Sequence, residues 1–218
     1  MSLELRGLSV ATKEQTSMFS CVDLVIAKGE VACIMGPSGV GKSTLLNAIG
    51  GHLSANFKMT GELLLNGQNL THKPATERRI GVLFQDPLLF PHLSVGDNLA
   101  FGLSATVVGT KLRRLKVEQA LQQAHLKGYY YRDPATLSGG QQSRIALMRA
   151  LLAQPNALLL DEPFAKLDLE LRHTMRAFLF AQAKQRQIPM LLATHEPADA
   201  VAANGQLIKL QRANTCSE

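Results

Sequence analysis

Tryptophan is absent and tyrosine occurs only within Tyr129–Tyr131, so the interleaving of aromatics and cations that stacks nucleic-acid bases is missing. Cysteine is scarce as well. Cys21, Cys33 and Cys216 lie far apart, with no C-x-x-C pair and no metal-ligand spacing. The first two read as small buried apolar residues and the third as a free tail thiol. No run of about 18 apolar residues escapes a charge or a proline, which argues against a bilayer-spanning helix. The most apolar long stretch, 80–110, is broken by Asp86, Pro87, Pro91, His92 and Asp97. Glu4 and Arg6 stand among alternating leucines near the start, a strand pattern and not a secretory leader. The chain is therefore expected to stay in the cytoplasm.

Acidic residues are outnumbered by Lys and Arg, 17 to 23, giving a net charge of +6. Such a balance raises nucleic acid or an anionic membrane surface as partners. Its visible sources are Arg78–Arg79 and the run Lys111, Arg113, Arg114, Lys116. The run reads as the solvated face of a helix. With 218 residues and 46% hydrophobic content, the chain suffices for one sizeable folded domain.

Leu3 and Leu5, then Val22, Leu24 and Ile26, predict two opening strands. Val31–Met35 is a short apolar run ending in glycine, the pattern of a buried parallel strand, and a helix follows from Lys42 to Ile49. Further strands are expected at 63–65, 80–84, 157–160, 190–193 and 206–210. Val117, Ala120, Leu121 and Ala124 recur at helical spacing, so 97–126 reads as a mostly helical inserted lobe. Helices are also expected from Ser138, over 169–186 and after Pro197. The alternation implies an α/β fold with a largely parallel core sheet.

Gly36-Pro37-Ser38-Gly39-Val40-Gly41-Lys42-Ser43-Thr44 carries the pattern G-x-x-x-x-G-K-[ST] between strand and helix. The glycines let backbone N–H groups turn inward as an anion nest, and the helix aims its positive end at a phosphate. Lys42 supplies a cation for the outer phosphates and Ser43 a hydroxyl for Mg²⁺. ATP is the expected ligand. Ala157–Leu160 ends in Asp161-Glu162-Pro163, two carboxylates at the strand end where open α/β sheets bind ligands. Successive strand residues point opposite ways, so Asp161 can organise Mg²⁺ while Glu162 polarises water.

With Leu137-Ser138-Gly139-Gly140-Gln141 added, the chain resembles the nucleotide-binding subunits of ABC transporters along nearly its whole length. Gln85 fits that family's Q-loop, Asp168 its D-loop and His195 its switch histidine. The resemblance implies a P-loop NTPase core with a mainly parallel sheet, N-terminal antiparallel strands and an inserted helical subdomain at about 88–135. It also implies a single domain over 1–218 without a C-terminal regulatory domain.

The implied mechanism has Lys42 and the loop amides bind phosphates, Ser43, Gln85 and Asp161 serve Mg²⁺, Glu162 act as base and His195 touch the γ-phosphate. Ser138, Gly139, Gly140, Gln141 and Asp168 would serve the nucleotide of a second copy in a head-to-tail dimer. Partners would be a membrane permease and a solute-binding protein, with the chain peripheral at the cytoplasmic face of the membrane and no nucleic acid. The segments 84–95 and 161–164 look like importers for thiamine, ferric iron, sulfate, molybdate or polyamines, with a slight lean to thiamine. The alternative class is a soluble ATPase acting on nucleic acid, whose long coiled coil has no room between Gln85 and Leu137. One family feature is missing: Val10–Glu14 holds no aromatic to stack on adenine, and Phe19 is the nearest. The remaining histidines (His52, His72, His92, His125, His173) show no ligand spacing.

Overall fold

Alternating leucines build the first sheet. In the computed structural model, which describes residues 2–14 and 16–213, β1 (Leu3–Thr12) buries Leu3, Leu5, Leu8 and Val10. The buried parity changes after Leu5, where the register slips at an irregularity before Leu8. β2 (Val22–Ile26) and β4 (Phe57–Leu65) flank β1 antiparallel, and β5 (Gln68–Asn69) completes the order β2-β1-β4-β5.

The second sheet joins β6 (Ile80–Leu83), β7 (Ala157–Asp161), β8 (Met190–Ala193), β3 (Val31–Met35) and β9 (Leu207–Lys209) in that order. The pairs β7–β8, β8–β3 and β3–β9 run parallel. β7 and β8 are buried at every residue, which is why their sequences are unbroken apolar runs and not alternating ones. α1 (Lys42–Gly50) shares a hydrophobic core with both sheets through Leu45, Leu46, Ala48 and Ile49. α6 (Leu169–Arg186) and α7 (Pro197–Ala203) follow. No helix among the described residues is long and apolar enough to cross a membrane.

Arg78, one of the two adjacent arginines that contribute to the net charge, is buried. Its side chain is 6% exposed and closes the single-turn helix α2 (Ala75–Arg78). It donates through Nη1 to Ala48 O and Ile49 O at 2.7 Å each, through Nε to Lys73 O at 2.8 Å and through Nη2 to Thr71 O at 3.2 Å. The guanidinium thus takes up the last carbonyls of α1, a helix with no basic residue of its own in the last turn. Cys21 is corrected: it is exposed, because it points away from the buried parity of β2 set by Val22. Cys33 is buried as expected, and burial with Asp199 nearby pushes its thiol up to about 12, so it is inert. Cys216 lies outside the described residues.

The chain forms two compact units. The first takes in residues up to Val82, Asn156–Glu162 and the chain from Phe178; the second is Leu83–Pro155 with Pro163–Ala177. Within the second unit the helix after the signature segment packs with the inserted helices. This unit holds α3 (Val95–Phe101), α4 (Thr110–Gln123) and α5 (Gly139–Leu152). Ser94 caps α3, and Asn98, fully buried, exchanges hydrogen bonds with Phe90 and donates to the carbonyls of Leu93 and Ser94. Arg149 reaches Pro87 O and Leu88 O at 3.2 and 2.9 Å, fixing the segment that follows Gln85.

Candidate active site

In the first unit, β3 delivers Gly36 and the loop turns back at Gly39 and Gly41, with φ of 75° and 106°. Gly41 is required twice over, since an added Cβ would also lie 2.8 Å from the Phe19 ring. The first turn of α1 has no side-chain cap and no acidic residue, so its amides face outward for an anion. Lys42 is 8% exposed and folds over its own loop, donating to Gly36 O at 2.8 Å and Pro37 O at 3.2 Å. A phosphate entering the nest would exchange these neutral carbonyls for charged acceptors, a stronger pairing.

Asp161 ends β7 buried, and burial raises its carboxyl above the usual range. A hydrogen bond from Ser43 acts the other way, Glu162 adds to the rise and Lys42 opposes it. A carboxylate so desolvated, paired with a hydroxyl, is a hard-oxygen donor set that a divalent cation would satisfy. The donors therefore fit Mg²⁺.

Glu162 follows with its N–H bonded to Ala193 O at 2.9 Å and a backbone φ of 48°. A non-glycine residue in the left-handed region costs roughly 1–3 kcal/mol and turns the carboxylate away from its strand. Its Oε1 lies 3.1 Å from His195 Nδ1. His195 leaves β8 through Thr194, whose hydroxyl donates to Asp199 at 3.0 Å and accepts the Glu196 amide at 3.0 Å. The first unit thus brings together Lys42, Ser43, Asp161, Glu162 and His195.

The other expected residues belong to the second unit. Ser138 caps α5 in a reciprocal box: its Oγ accepts the Gln141 amide at 3.3 Å and Gln141 Oε1 accepts the Ser138 amide at 3.0 Å. Asp168 Oδ1 accepts the Leu171 amide at 2.9 Å, a cap on α6. Sequence reasoning missed Lys166. Its Nζ donates to Gln85 O at 3.4 Å and stands 3.9 Å from Asp86, while its backbone lies against Gly140 and its side chain against Gly139. A Cβ on Gly140 would meet Lys166 O at 2.6 Å, whereas one on Gly139 would meet only the flexible Lys166 Cδ at 3.2 Å.

That contrast sets opposite signs for two substitutions. Alanine normally stabilises a helix over glycine by about 1 kcal/mol. Gly139→Ala should follow that rule or be neutral, while Gly140→Ala should destabilise by about 1–3 kcal/mol because backbone must shift. Urea unfolding of the two variants checks this; equal behaviour would show that the Lys166 turn yields freely.

Comparison with known proteins now bears on this geometry. The family described as "ABC transporter" matches residues 19–165, from Phe19 beneath the phosphate loop past the acidic strand end. The chain belongs to the ABC transporter family. It is 47% identical to the uncharacterized ABC transporter ATP-binding protein YnjD of Escherichia coli K12, over 88% of each chain. It is 42% identical to the thiamine import ATP-binding protein ThiQ of Haemophilus influenzae, covering 88% of this chain and 92% of the relative. Among solved structures, a dimeric post-hydrolysis state of the ATP-binding cassette MJ0796 bound to ADP and Pi superposes with a TM-score of 0.84 at 30% identity. The match covers 96% of this chain and 94% of that one. The α/β cassette fold and an ATP-binding, ATP-hydrolysing activity follow from membership.

Phe19 answers the question of the missing aromatic. It is fully buried, paired by a β-bridge to Arg212 and packed against Gly41. It supports the phosphate loop from within and offers no face to a base.

Proposed function

We propose that this ABC ATPase powers an importer from the cytoplasmic face of the membrane, through a separate permease and with a solute-binding protein in the same system. The observation that carries the catalytic part is the Glu162–His195 pair, at 3.1 Å, with Glu162 next to the Asp161 that Ser43 and Lys42 of the phosphate loop act on. Named relatives support the importer part: thiamine import for ThiQ and spermidine/putrescine import for PotA.

In this reading Lys42 and the amides of Gly36–Thr44 hold the phosphates. Ser43 and Asp161 would hold Mg²⁺, which would draw charge from the phosphate oxygens. Glu162 takes a proton from the attacking water, and His195 orients that carboxylate and contacts the γ-phosphate. Ser138, Gly139, Gly140, Gln141 and Asp168 serve the nucleotide of a second copy, so each chain holds two half-sites. Nucleic acid is not a substrate. Light scattering tests the dimer: MgATP should shift a Glu162→Gln variant to twice the monomer mass. A monomer at saturating ATP would overturn the shared site.

Base recognition should be weak. With Phe19 buried and no aromatic in Val10–Glu14, the usual stacking contribution of about 1–3 kcal/mol is lost. ATP and GTP should therefore bind within about threefold of each other by competition with a fluorescent nucleotide. A strong ATP preference would show that another group reads the base.

A further inference from the structure

The positive charge of this protein is concentrated in one place. Between Ser104 and Arg132 six cations stand against a single carboxylate, Glu118, so this stretch supplies +5 of the net +6. Exposed apolar side chains concentrate in the same stretch. Val108, Leu112, Leu115 and Tyr131 are four of the ten large hydrophobic residues exposed among the described residues, and Phe101 stands just before the stretch. Either concentration alone is ordinary. Their coincidence on one helix and its flanks is not.

The arrangement on α4 is specific. Val117, Ala120 and Leu121 are buried, which fixes the opposite face as the outer one. On a projection of about 100° per residue, Leu112, Leu115 and Gln119 lie at the centre of that face, with Lys111 and Lys116 about 70° to either side. A helix bathed in water carries its charges at the centre of the outer face. Here leucines at 44% and 53% exposure occupy the centre and lysines form the margins. That is the pattern of a helix lying in an interface, with apolar groups entering the acyl boundary and lysines reaching to headgroups.

The nearby cations are already assigned to different work. Arg113 donates to Val107 O and Ala100 O, tying the start of α4 to the end of α3. Arg114 pairs with Glu118 at 2.7 Å and lies 3.3 Å over the Tyr130 ring, with a hydrogen bond to Tyr131 Oη. These contacts hold Tyr131 outward beside the helix. Lys111 and Lys116 make no ion pair among the described residues and remain available.

We propose that this face of α4, with Leu112 and Leu115 between Lys111 and Lys116, contacts an anionic lipid surface. The face carries Lys111 and Lys116 and no carboxylate, which complements phosphate headgroups. Contact of this kind needs neither nucleotide nor permease, so its failure leaves the importer reading standing.

Vesicle co-sedimentation tests it. The purified chain should partition onto vesicles of about 30 mol% phosphatidylglycerol at least about tenfold better than onto phosphatidylcholine alone. Salt at about 0.5 M should remove most of that difference. Lys111→Gln with Lys116→Gln should lower partitioning about tenfold or more. Leu112→Ser with Leu115→Ser should also lower it, while ATP turnover and the thermal melt of both variants stay unchanged. Equal affinity for the two vesicles, or partitioning that neither pair alters, would overturn the proposal. So would tight, steeply salt-dependent binding to a short DNA duplex that exceeds vesicle binding and is lost with the two lysines.

Discussion

Glu162→Gln should lower steady-state ATP turnover by roughly 10²–10⁴-fold, the usual contribution of a positioned general base. The amide keeps the volume of the side chain, its backbone bond to Ala193 O and its ability to meet His195, at 3.1 Å in the native pair. What it loses is the capacity to accept a proton. Nucleotide affinity should change little, because Lys42, Ser43 and the loop amides are untouched. Phosphate release at saturating MgATP, alongside a binding titration, separates the two effects. Glu162→Asp refines the test. It restores a base but withdraws it by one methylene, and displacement of about 1 Å is enough to cost about 10²-fold. Turnover within tenfold of the native protein in Glu162→Gln would mean that another group takes the proton.

The backbone at this residue supports that assignment. Leu160 and Asp161 sit in regular β7, yet Glu162 adopts φ of 48° immediately before Pro163. Nothing in the packing of an ordinary strand end calls for a left-handed glutamate. The turn aims its carboxylate at His195, and strain of this kind persists where the surroundings over-determine it.

How much of this was legible depended on whether local sequence decided the outcome. The phosphate loop could be placed from its pattern alone, since the turn needs glycine at Gly39 and Gly41 and the helix must begin at Lys42. α6 could be bounded at Leu169 and Arg186, because Asp168 is a local cap and the helical period runs long. β5 and α2 went unseen: two and four residues are too few to show a period. Lys166 was invisible for another reason. Its contacts to Gln85 and the signature glycines join segments far apart in sequence, and no spacing rule reaches across such a gap. The charge run on α4 was correctly read as a helix face, but which side chains occupied its centre depended on knowing what the other face buried.

Arg78 is the strongest case of a long-range role hidden in an ordinary-looking pair, and it carries the largest expected effect on stability. Arg78→Met keeps the aliphatic stem but takes this donor from the carbonyls of Ile49, Thr71 and Lys73, and leaves Ala48 O with only the long bond from the Gly51 amide. Each orphaned buried acceptor costs about 1–3 kcal/mol, but the sum is offset because the buried guanidinium was itself desolvated. That desolvation shows in its pKa, which burial lowers. A net loss of about 3 kcal/mol is expected, or a fall in Tm of about 6–12 °C for a chain of this size. Arg79→Met is the control: its side chain is exposed, so the change should stay within about 0.5 kcal/mol. Arg78→Lys should recover only part of the loss, since one ammonium cannot reach carbonyls spread around a planar fork. Calorimetry on the three variants decides it. Equal melting of Arg78→Met and Arg79→Met would mean that α1 holds its C-terminal end by core packing alone, and that the phosphate loop at its other end owes nothing to this arginine.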